Sequence, residues 1–262
     1  MRTQKPERWV VKAGSNMILS GGPLLIRDWM TQVANLKEKS GIEIIWVSSG
    51  AIATAVERTR FKKQKRELSE KQALSAIGQP LVMDLYNLGL QAHGLMGAQV
   101  LLTYHDLENE GRNQNVRNTL EQLLKWGVTP ILNENDAVAT EEIRFGDNDA
   151  LSSKVAVSLK ADRLIILTDV DGLYDADPKN NPKAKLIHEL EGIKKEMLSQ
   201  LEKESGYSAG SSRGTGGILT KIQAAFWAHQ HGIETWLVRG DTPGVLSQVA
   251  NGSRVGTRVR VK

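Results

Sequence analysis

The sequence contains no cysteine among its 262 residues. This absence excludes disulfide bonds, thiolate metal ligands and a cysteine nucleophile. It fits a protein of the reducing cytoplasm, which is the location that we expect. The first eight residues are polar and lack the apolar segment of a secretory signal peptide.

The chain also lacks a long apolar run and an excess of one charge. The most apolar stretch, Leu88–Thr103, is interrupted by Gln91, His93 and Gln99 and is too polar to span a bilayer. With 34 basic and 30 acidic residues the net charge is only +4, and the sequence has no RNA-binding or recognition-helix signature. The five histidines form no pair at metal-ligand spacing. We therefore expect no membrane partner, no nucleic-acid partner and no metal site built from protein ligands.

Short apolar runs alternate with longer amphipathic stretches along the chain. The runs predict strands at Trp9–Ala13, Glu43–Val47, Ala98–Leu102, Thr129–Leu132, Leu164–Leu167, Thr235–Val238 and Thr257–Val261. The stretches predict helices at Pro23–Ser40, from a Ser69/Gln72 capping box, and at Val116–Trp126, Asp149–Leu159, Gly217–His231 and Gly244–Ala250. This alternation predicts an α/β fold, a three-layer αβα sandwich around a mostly parallel sheet, as a single domain over residues 1–262.

Ligands of such sheets bind outside the carboxyl ends of the strands. Lys12 lies at the end of the first strand and can reach a phosphate, and Gly14 lets the backbone approach it. Ser49, Gly50 and Ala51 follow the second strand and open a helix, whose first N–H groups favour an anion. A surface lysine and an ordinary helix cap are alternative interpretations of these two segments.

Carboxylate and amide side chains follow the fourth predicted strand, in the segments 133–136 and 146–149. Such a cluster can hold an ammonium group, lysines or a metal ion, although Asn and Asp are also common in turns. Thr168 and Asp169 follow the fifth strand, at a position that suits contact with a nucleotide. The glycine-rich segment 214–221 opens a helix and suits phosphate binding, or is a flexible loop.

Taken in this order, these segments resemble the amino acid kinase family, and within it the bacterial glutamate 5-kinases. The resemblance runs from about Trp9 to Thr257. Its most selective part is the pairing of Asn133-Glu134-Asn135-Asp136-Ala137-Val138 with Gly146-Asp147-Asn148-Asp149. The first motif reads Lys-Ala-Gly-Ser, a mild departure from the Lys-Leu-Gly-Thr that is common in the family.

The resemblance implies a role for each matching residue. Lys12 and Lys221 would contact the phosphates and stabilise the transferring phosphoryl group, and Asp149 would hold both lysines. The residues that the resemblance places at the glutamate site are Ser49, Gly50, Ala51, Asn133, Asp136, Asp147 and Asn148. Those that it places at the nucleotide, besides the two lysines, are Gly14, Thr168, Asp169, Thr215, Gly216 and Gly217.

The resemblance further implies the reaction, which is transfer of a phosphoryl group from MgATP to the γ-carboxylate of L-glutamate as the first step of proline biosynthesis. The acceptor is already a carboxylate, so the reaction needs no general base, and alignment and charge cancellation are sufficient. The N-terminal part would bind glutamate and the part from about residue 160 would bind ATP. The family also implies a homo-oligomer and proline as a feedback inhibitor. Many members carry a C-terminal PUA domain, for which we expect no counterpart in residues 1–262.

Three alternatives stay open. A kinase for another carboxylate, such as N-acetylglutamate or aspartate, would use the same fold. A non-catalytic amino acid sensor would keep the fold without needing Lys12, Asp149 and Lys221. A nucleic-acid binder is suggested only by the isoelectric point of about 9.2.

Overall fold

The structure is a computed structural model that describes residues 5–62, 65–139, 148–176, 178, 181–193, 198 and 217–261. The strands are β1 Arg8–Ala13, β2 Glu43–Val47, β3 Gly97–Leu102, β4 Thr129–Glu134, β5 Arg163–Thr168, β6 Glu189–Leu190, β7 Glu234–Arg239 and β8 Thr257–Val259. The helices are α1 Ser15–Ser40, α2 Ala51–Arg58, α3 Leu68–Gln91, α4 Tyr104–Glu108, α5 Glu110–Lys125, α6 Asn148–Ser158, α7 Ile218–Gln230 and α8 Val245–Ala250.

The strands of the described residues form one sheet in the order β3-β4-β2-β1-β5-β7-β8-β6. The six strands from β3 to β7 in this order are parallel to one another, whereas β8 runs antiparallel to β7. The prediction of a mostly parallel sheet is confirmed. The two-residue strand β6 was not predicted, because two residues are too few to show an alternating pattern.

The central strand β1 is buried on both faces, as expected of a parallel sheet covered by helices. Its side chains alternate between two cores. Trp9 and Val11 belong to the core under α1, α3 and α8, and Val10 belongs to the core under α5, α6 and α7. Lys12 has the same parity as Val10, so it projects towards α6 and α7.

Three helix starts differ from the predictions. The helix predicted from Pro23 is preceded by a helical turn from Ser15, and the two pieces meet at Gly22, whose φ of 56° is outside the helical region. The capping box of α3 is formed by Glu67 and Glu70, and the prediction of Ser69 and Gln72 is wrong by two residues. A glutamate side chain can accept hydrogen bonds from the unpaired backbone N–H groups at a helix start, as a serine does. The capping box therefore forms two residues earlier than predicted.

The helix predicted from Val116 begins earlier, at Glu110. Asn109 caps this helix by accepting a hydrogen bond from the backbone N–H of Arg112, at 3.0 Å. Its first two turns are polar, so hydrophobic periodicity did not reveal them. Within the part of the chain that the structure describes, no helix has the length and apolar character needed to cross a membrane.

The carboxyl ends of the parallel strands lie along one edge of the sheet. From β1 the chain moves to β2 on one side, and the neighbour on the other side is β5. In open α/β sheets, ligands bind beside the point where the strand order changes direction, which here is the end of β1. The segments that follow β1, β2, β4 and β5 all meet at this edge.

Candidate active site

Lys12 and Asp149 form a buried ion pair at the end of β1. The Nζ atom of Lys12 lies 2.5 Å from Oδ1 of Asp149. Lys12 is 2% exposed and Asp149, the second residue of α6, is 0% exposed. An ion pair so deeply buried is costly to desolvate and is seldom kept for stability alone.

A second lysine reaches the same carboxylate from α7. Lys221 Nζ lies 3.3 Å from Oδ2 of Asp149, and Lys221 is 6% exposed. The Thr220 hydroxyl donates a hydrogen bond to the same Oδ2 at 2.9 Å. Asp149 therefore holds the two lysines on opposite oxygens, and Thr220 fixes the plane of its carboxylate.

The three side chains carry two positive charges and one negative charge, so the cluster has an excess of one positive charge. Gly14 lies directly beside it, because a Cβ atom at Gly14 would be 3.9 Å from Lys12 Nζ and 3.6 Å from the carbonyl oxygen of Leu167. Helix α1 begins just after Gly14, and helix α7 begins after Gly217. A positive cluster beside two helix N-termini is suited to binding an anion such as a phosphate.

Asn148, the neighbour of Asp149 in sequence, joins the ends of β2 and β4. Its Nδ2 lies 2.8 Å from the carbonyl oxygen of Ser48, 3.0 Å from Oγ of Ser49 and 2.6 Å from Oδ1 of Asn133. Its own Oδ1 is buried and accepts no hydrogen bond from any residue within the described ranges. Among the described residues, this amide cluster therefore has an acceptor oxygen available for a hydrogen-bond donor of a ligand.

The start of α2 borders the amide cluster. Gly50 caps α2 with a φ of 83°, a left-handed conformation that glycine adopts without strain. Ala51, the first helical residue, is packed so closely against α3 that a Cβ atom at Gly78 would lie 1.8 Å from the carbonyl oxygen of Ala51. The backbone N–H groups at the start of α2 are thus held rigidly at the sheet edge.

Thr168 is the last residue of β5, on the other side of β1, and Asp169 follows it. Burial acts to raise the pKa of Asp169, but hydrogen bonds from Asn16, from its own backbone N–H and from Thr168, together with the charge of Lys221, leave it lowered. The donor of Asn16 is Nδ2, at 3.2 Å, and that of Thr168 is its hydroxyl, at 3.3 Å. Asp169 is therefore ionised at neutral pH and ties α1 to β5.

The structure brings the predicted residues together in two clusters at one edge. The first contains Lys12, Asp149 and Lys221, and the second contains Ser49, Asn133 and Asn148. Asp136 lies in the turn after β4 at the same edge. Three predicted residues, Asp147, Thr215 and Gly216, lie outside the described residues.

Two contacts of the site were not anticipated from the sequence. The Thr220 hydroxyl lies within the glycine-rich motif, so the motif identified its position but not its bond to Asp149. Gln79 accepts a hydrogen bond from Nδ2 of Asn133 at 2.9 Å. No sequence signal identifies Gln79, because it lies in the middle of α3 and belongs to none of the strand-end motifs.

A separate cavity of about 510 Å³ lies at the β6–β8 end of the sheet and is lined by residues that include His188, Trp236, Arg254 and Arg258. None of the predicted site residues lines it. Within the described ranges, no group of three or more His, Asp or Glu side chains could hold a metal ion. Mg²⁺ at nucleotide sites is held mainly by phosphates and by one or two carboxylates, so such a group is not required for MgATP.

Comparison with known proteins identifies one family. The model of the amino acid kinase family matches residues 7–239. The glutamate 5-kinase of Nitrosococcus oceani is 43% identical over 254 residues, that of Herpetosiphon aurantiacus 44% over 257 residues, and that of Hydrogenovibrio crunogenus 40% over 258 residues. These alignments cover 95–97% of this chain and 66–68% of the relatives, so the chain spans about two thirds of their length.

Solved structures of low sequence identity share the fold. Carbamate kinase from Giardia lamblia bound to AMP-PNP has a TM-score of 0.67 at 18% identity, covering 98% of this chain and 99% of that one. The isopentenyl phosphate kinase of T. acidophilum, in a product complex, has a TM-score of 0.63 at 15% identity, covering 97% and 100%. The predicted three-layer fold is confirmed by these similarities.

Proposed function

Because the chain belongs to the amino acid kinase family, we propose that it transfers the γ-phosphoryl group of ATP to the γ-carboxylate of L-glutamate. A carboxylate oxygen attacks the γ-phosphorus, the bond from that phosphorus to the β,γ-bridging oxygen breaks, and ADP leaves. The products are γ-glutamyl phosphate and ADP. This is the first step of proline biosynthesis, and we propose the cytoplasm, where ATP is available, as its location.

The observation that carries this proposal is the buried Lys12–Asp149–Lys221 cluster in a chain that is 40–44% identical to glutamate 5-kinases. Phosphoryl transfer spreads negative charge over the equatorial oxygens of the γ-phosphate. Two lysines held by one carboxylate can neutralise that charge without rearranging. A non-catalytic sensor has no such need for two buried lysines at a strand end.

The amide cluster supports a glutamate site beside the lysines. Asn148 is adjacent to Asp149 in the sequence, so a ligand bound at Asn148 would lie close to the transfer cluster. Ser49 and the N-terminus of α2 would bind a carboxylate of glutamate, and Asp136 would bind its α-ammonium group. Asn133, Gly50, Ala51 and Asp147 complete the proposed glutamate side.

The nucleotide would lie on the β5 side of the cluster. Gly14 and Gly217 precede helices α1 and α7, and both would admit phosphates close to the backbone. Thr168, Asp169, Thr215 and Gly216, all from the part of the chain after about residue 160, complete this proposed side. The magnesium ion enters with ATP as part of the substrate.

The direct test traps the acyl phosphate with hydroxylamine. Purified protein with MgATP and L-glutamate should give the γ-hydroxamate, and Lys221→Ala protein should give little of it. Equal reaction with N-acetylglutamate or aspartate would contradict the choice of glutamate. Absence of ATP consumption with every amino acid tested would contradict the kinase activity and support a sensor.

We also propose that proline inhibits by occupying the glutamate site. Proline shares the α-amino acid head of glutamate but has no γ-carboxylate to present to ATP, so it would bind without reacting. Steady-state kinetics at varied glutamate with millimolar proline tests this. Inhibition relieved by glutamate supports a shared site, whereas no inhibition, or inhibition that glutamate does not relieve, contradicts it.

The family resemblance further leads us to propose a homo-oligomer. Several large apolar side chains are exposed in the single chain, among them Leu24 at 79% and Trp126 at 68%. Light scattering coupled to gel filtration measures the mass directly. A mass near 28.9 kDa, that of one chain, would contradict the proposal.

A further inference from the structure

Gln79 lies outside every motif of the site and is nevertheless connected to it. It sits in the middle of α3 and is 8% exposed. Its Oε1 accepts a hydrogen bond from Nδ2 of Asn133 at 2.9 Å, and Asn133 is 3% exposed. A buried amide N–H group left without an acceptor is unfavourable, so Asn133 depends on Gln79 for this bond.

The direction of this hydrogen bond is fixed by the backbone. The backbone N–H of Glu134 can only donate, and it points at Oδ1 of Asn133 at 2.9 Å. The other end of the Asn133 amide must therefore be its Nδ2, which donates to Gln79. Gln79 must then present its oxygen, because only the oxygen of an amide accepts.

The same reasoning extends to Asn148. The carbonyl oxygen of Ser48 can only accept, so the atom of Asn148 that lies 2.8 Å from it is Nδ2. This Nδ2 also donates to Oδ1 of Asn133 at 2.6 Å. Gln79, Asn133 and Asn148 thus form a chain of amides whose orientation is set by two backbone groups, at the ends of β2 and β4.

The Gln79 end of this chain of amides is held in a fixed position. Gly78, the neighbour of Gln79, allows α3 to touch the backbone of Ala51, where a Cβ atom would lie 1.8 Å from the carbonyl oxygen. Helix α3 therefore cannot move at this point without moving the start of α2. Gln79 transmits this fixed position to Asn133 and from there to Asn148, which lies 3.0 Å from Oγ of Ser49.

We propose that Gln79 is a positioning residue for the amino acid substrate. It acts through Asn133 to hold Asn148 and Ser49 in the orientation that recognises glutamate. This inference rests on the proposed function, since Asn148 and Ser49 are the proposed glutamate ligands. It predicts that Gln79 affects glutamate recognition and leaves ATP recognition unchanged.

The test replaces Gln79 by Leu, which keeps the volume and removes the acceptor. The KM for glutamate should rise about 10-fold, the fold-change that corresponds to one lost buried hydrogen bond, while the KM for ATP stays within about twofold. The matched control is Gln72→Leu on the same helix. Gln72 donates instead to the carbonyl oxygen of Ala139, at 3.1 Å, and forms no hydrogen bond with Asn133. The glutamate KM of Gln72→Leu should therefore rise less than that of Gln79→Leu.

A double change shows whether the effect passes through Asn133. The protein with both Gln79→Leu and Asn133→Leu should have the glutamate KM of Asn133→Leu alone, because the second loss removes nothing further. Additive effects would overturn the proposal, as would an unchanged glutamate KM in Gln79→Leu. Should Gln79→Leu fail to fold, Gln79→Met offers a more adaptable side chain that also lacks a strong acceptor.

The wild-type protein separates failure of this inference from failure of the proposed function. If the wild-type protein phosphorylates glutamate and Gln79→Leu has a normal glutamate KM, only the positioning role is wrong. If the wild-type protein does not phosphorylate glutamate at all, the proposed function is wrong.

Discussion

The two ends of strand β1 carry buried charges with opposite imbalances. At the first residue, Arg8 contacts two carboxylates, with Nη2 2.7 Å from Oε2 of Glu43 and Nη1 2.6 Å from Oε1 of Glu121. At the fifth residue, Lys12 shares one carboxylate, Asp149, with Lys221. Arg8 thus contacts two carboxylates, whereas Lys12 and Lys221 share one.

The Arg8 end is closed, by which we mean that neighbouring residues satisfy all of its hydrogen bonds. The Nε group donates to Glu43 and the two Nη groups donate to Glu121 and to the carbonyl oxygen of Leu159. Every hydrogen-bonding nitrogen of the guanidinium therefore has an acceptor, as a structural ion pair requires. At the Lys12 end, two lysines instead share one carboxylate, an arrangement suited to binding a phosphate. The difference between the two ends is that the acceptors of Arg8 are all supplied by neighbouring residues of the fold, whereas two lysines converge on Asp149 at the edge where ligands bind.

Removing the shared carboxylate should have the largest effect. Asp149→Asn leaves two lysines without their common anion in a site where Asp149 is 0% exposed. We expect turnover to fall by about 10³-fold or more and the free energy of unfolding to fall by about 3–5 kcal/mol. Steady-state kinetics and urea unfolding measure the two quantities. Near-normal turnover in this variant would contradict the transfer role of the cluster.

Removing one lysine should affect catalysis more selectively. Lys221→Ala should lower kcat by about 10²–10³-fold, because the lysine neutralises charge that develops in the transition state. The glutamate Kd, measured by calorimetry, should stay within about twofold. Lys154→Ala is the matched control, since Lys154 on α6 pairs with Glu108 and lies outside both clusters. Equal turnover in the two variants would remove Lys221 from the mechanism.

Breaking the closed end should change stability and leave catalysis intact. Arg8→Met should lower the free energy of unfolding by about 2–3 kcal/mol, less than a fully buried pair, because Glu43 and Glu121 are 24% and 41% exposed and can be hydrated. The kcat should stay within about twofold. Urea unfolding and steady-state kinetics check both expectations, and a large loss of kcat at full stability would show that the two ends are not separate.

We expect the smallest effect in the pH dependence of the stability that Arg8 and Glu121 contribute. The hydrogen bond from Arg8 lowers the pKa of Glu121 most, and burial partly opposes it. A carboxylate with a lowered folded-state pKa stabilises the protein above its unfolded pKa of about 4.3, and this contribution is lost as the pH falls through the folded-state pKa. The stability gap between wild type and Arg8→Met should therefore narrow from about pH 5 to about pH 3.

Urea unfolding across this pH range measures the gap. Glu121→Gln removes the titrating group, so the gap between Glu121→Gln and wild type should narrow over the same pH range. A gap that stays constant in both comparisons would show that Glu121 does not gain its stabilisation from Arg8.

Most of the site was predictable because its residues follow strands. Lys12, Ser49 and Asn133 each come within two residues of an apolar run, and parallel strands bring such positions to one edge. Gln79 could not be predicted in this way, since its position in a helix carries no comparable signal. The Glu67/Glu70 capping box was missed because Ser69 offered a competing cap of the usual residue type.

The alternation of strands and helices, the order of the strand-end motifs and the residue types suited to phosphoryl transfer can all be read from the amino-acid sequence alone. These are local properties, set by hydrophobic periodicity and by the chemistry of single side chains. The tertiary structure was needed to show that Thr220 bonds to the carboxylate of Asp149 between the two lysines, that Arg8 contacts two carboxylates, and that Gln79 reaches Asn133. Each of these contacts joins residues at least 35 positions apart, so each depends on strand order and helix packing, which no local pattern encodes.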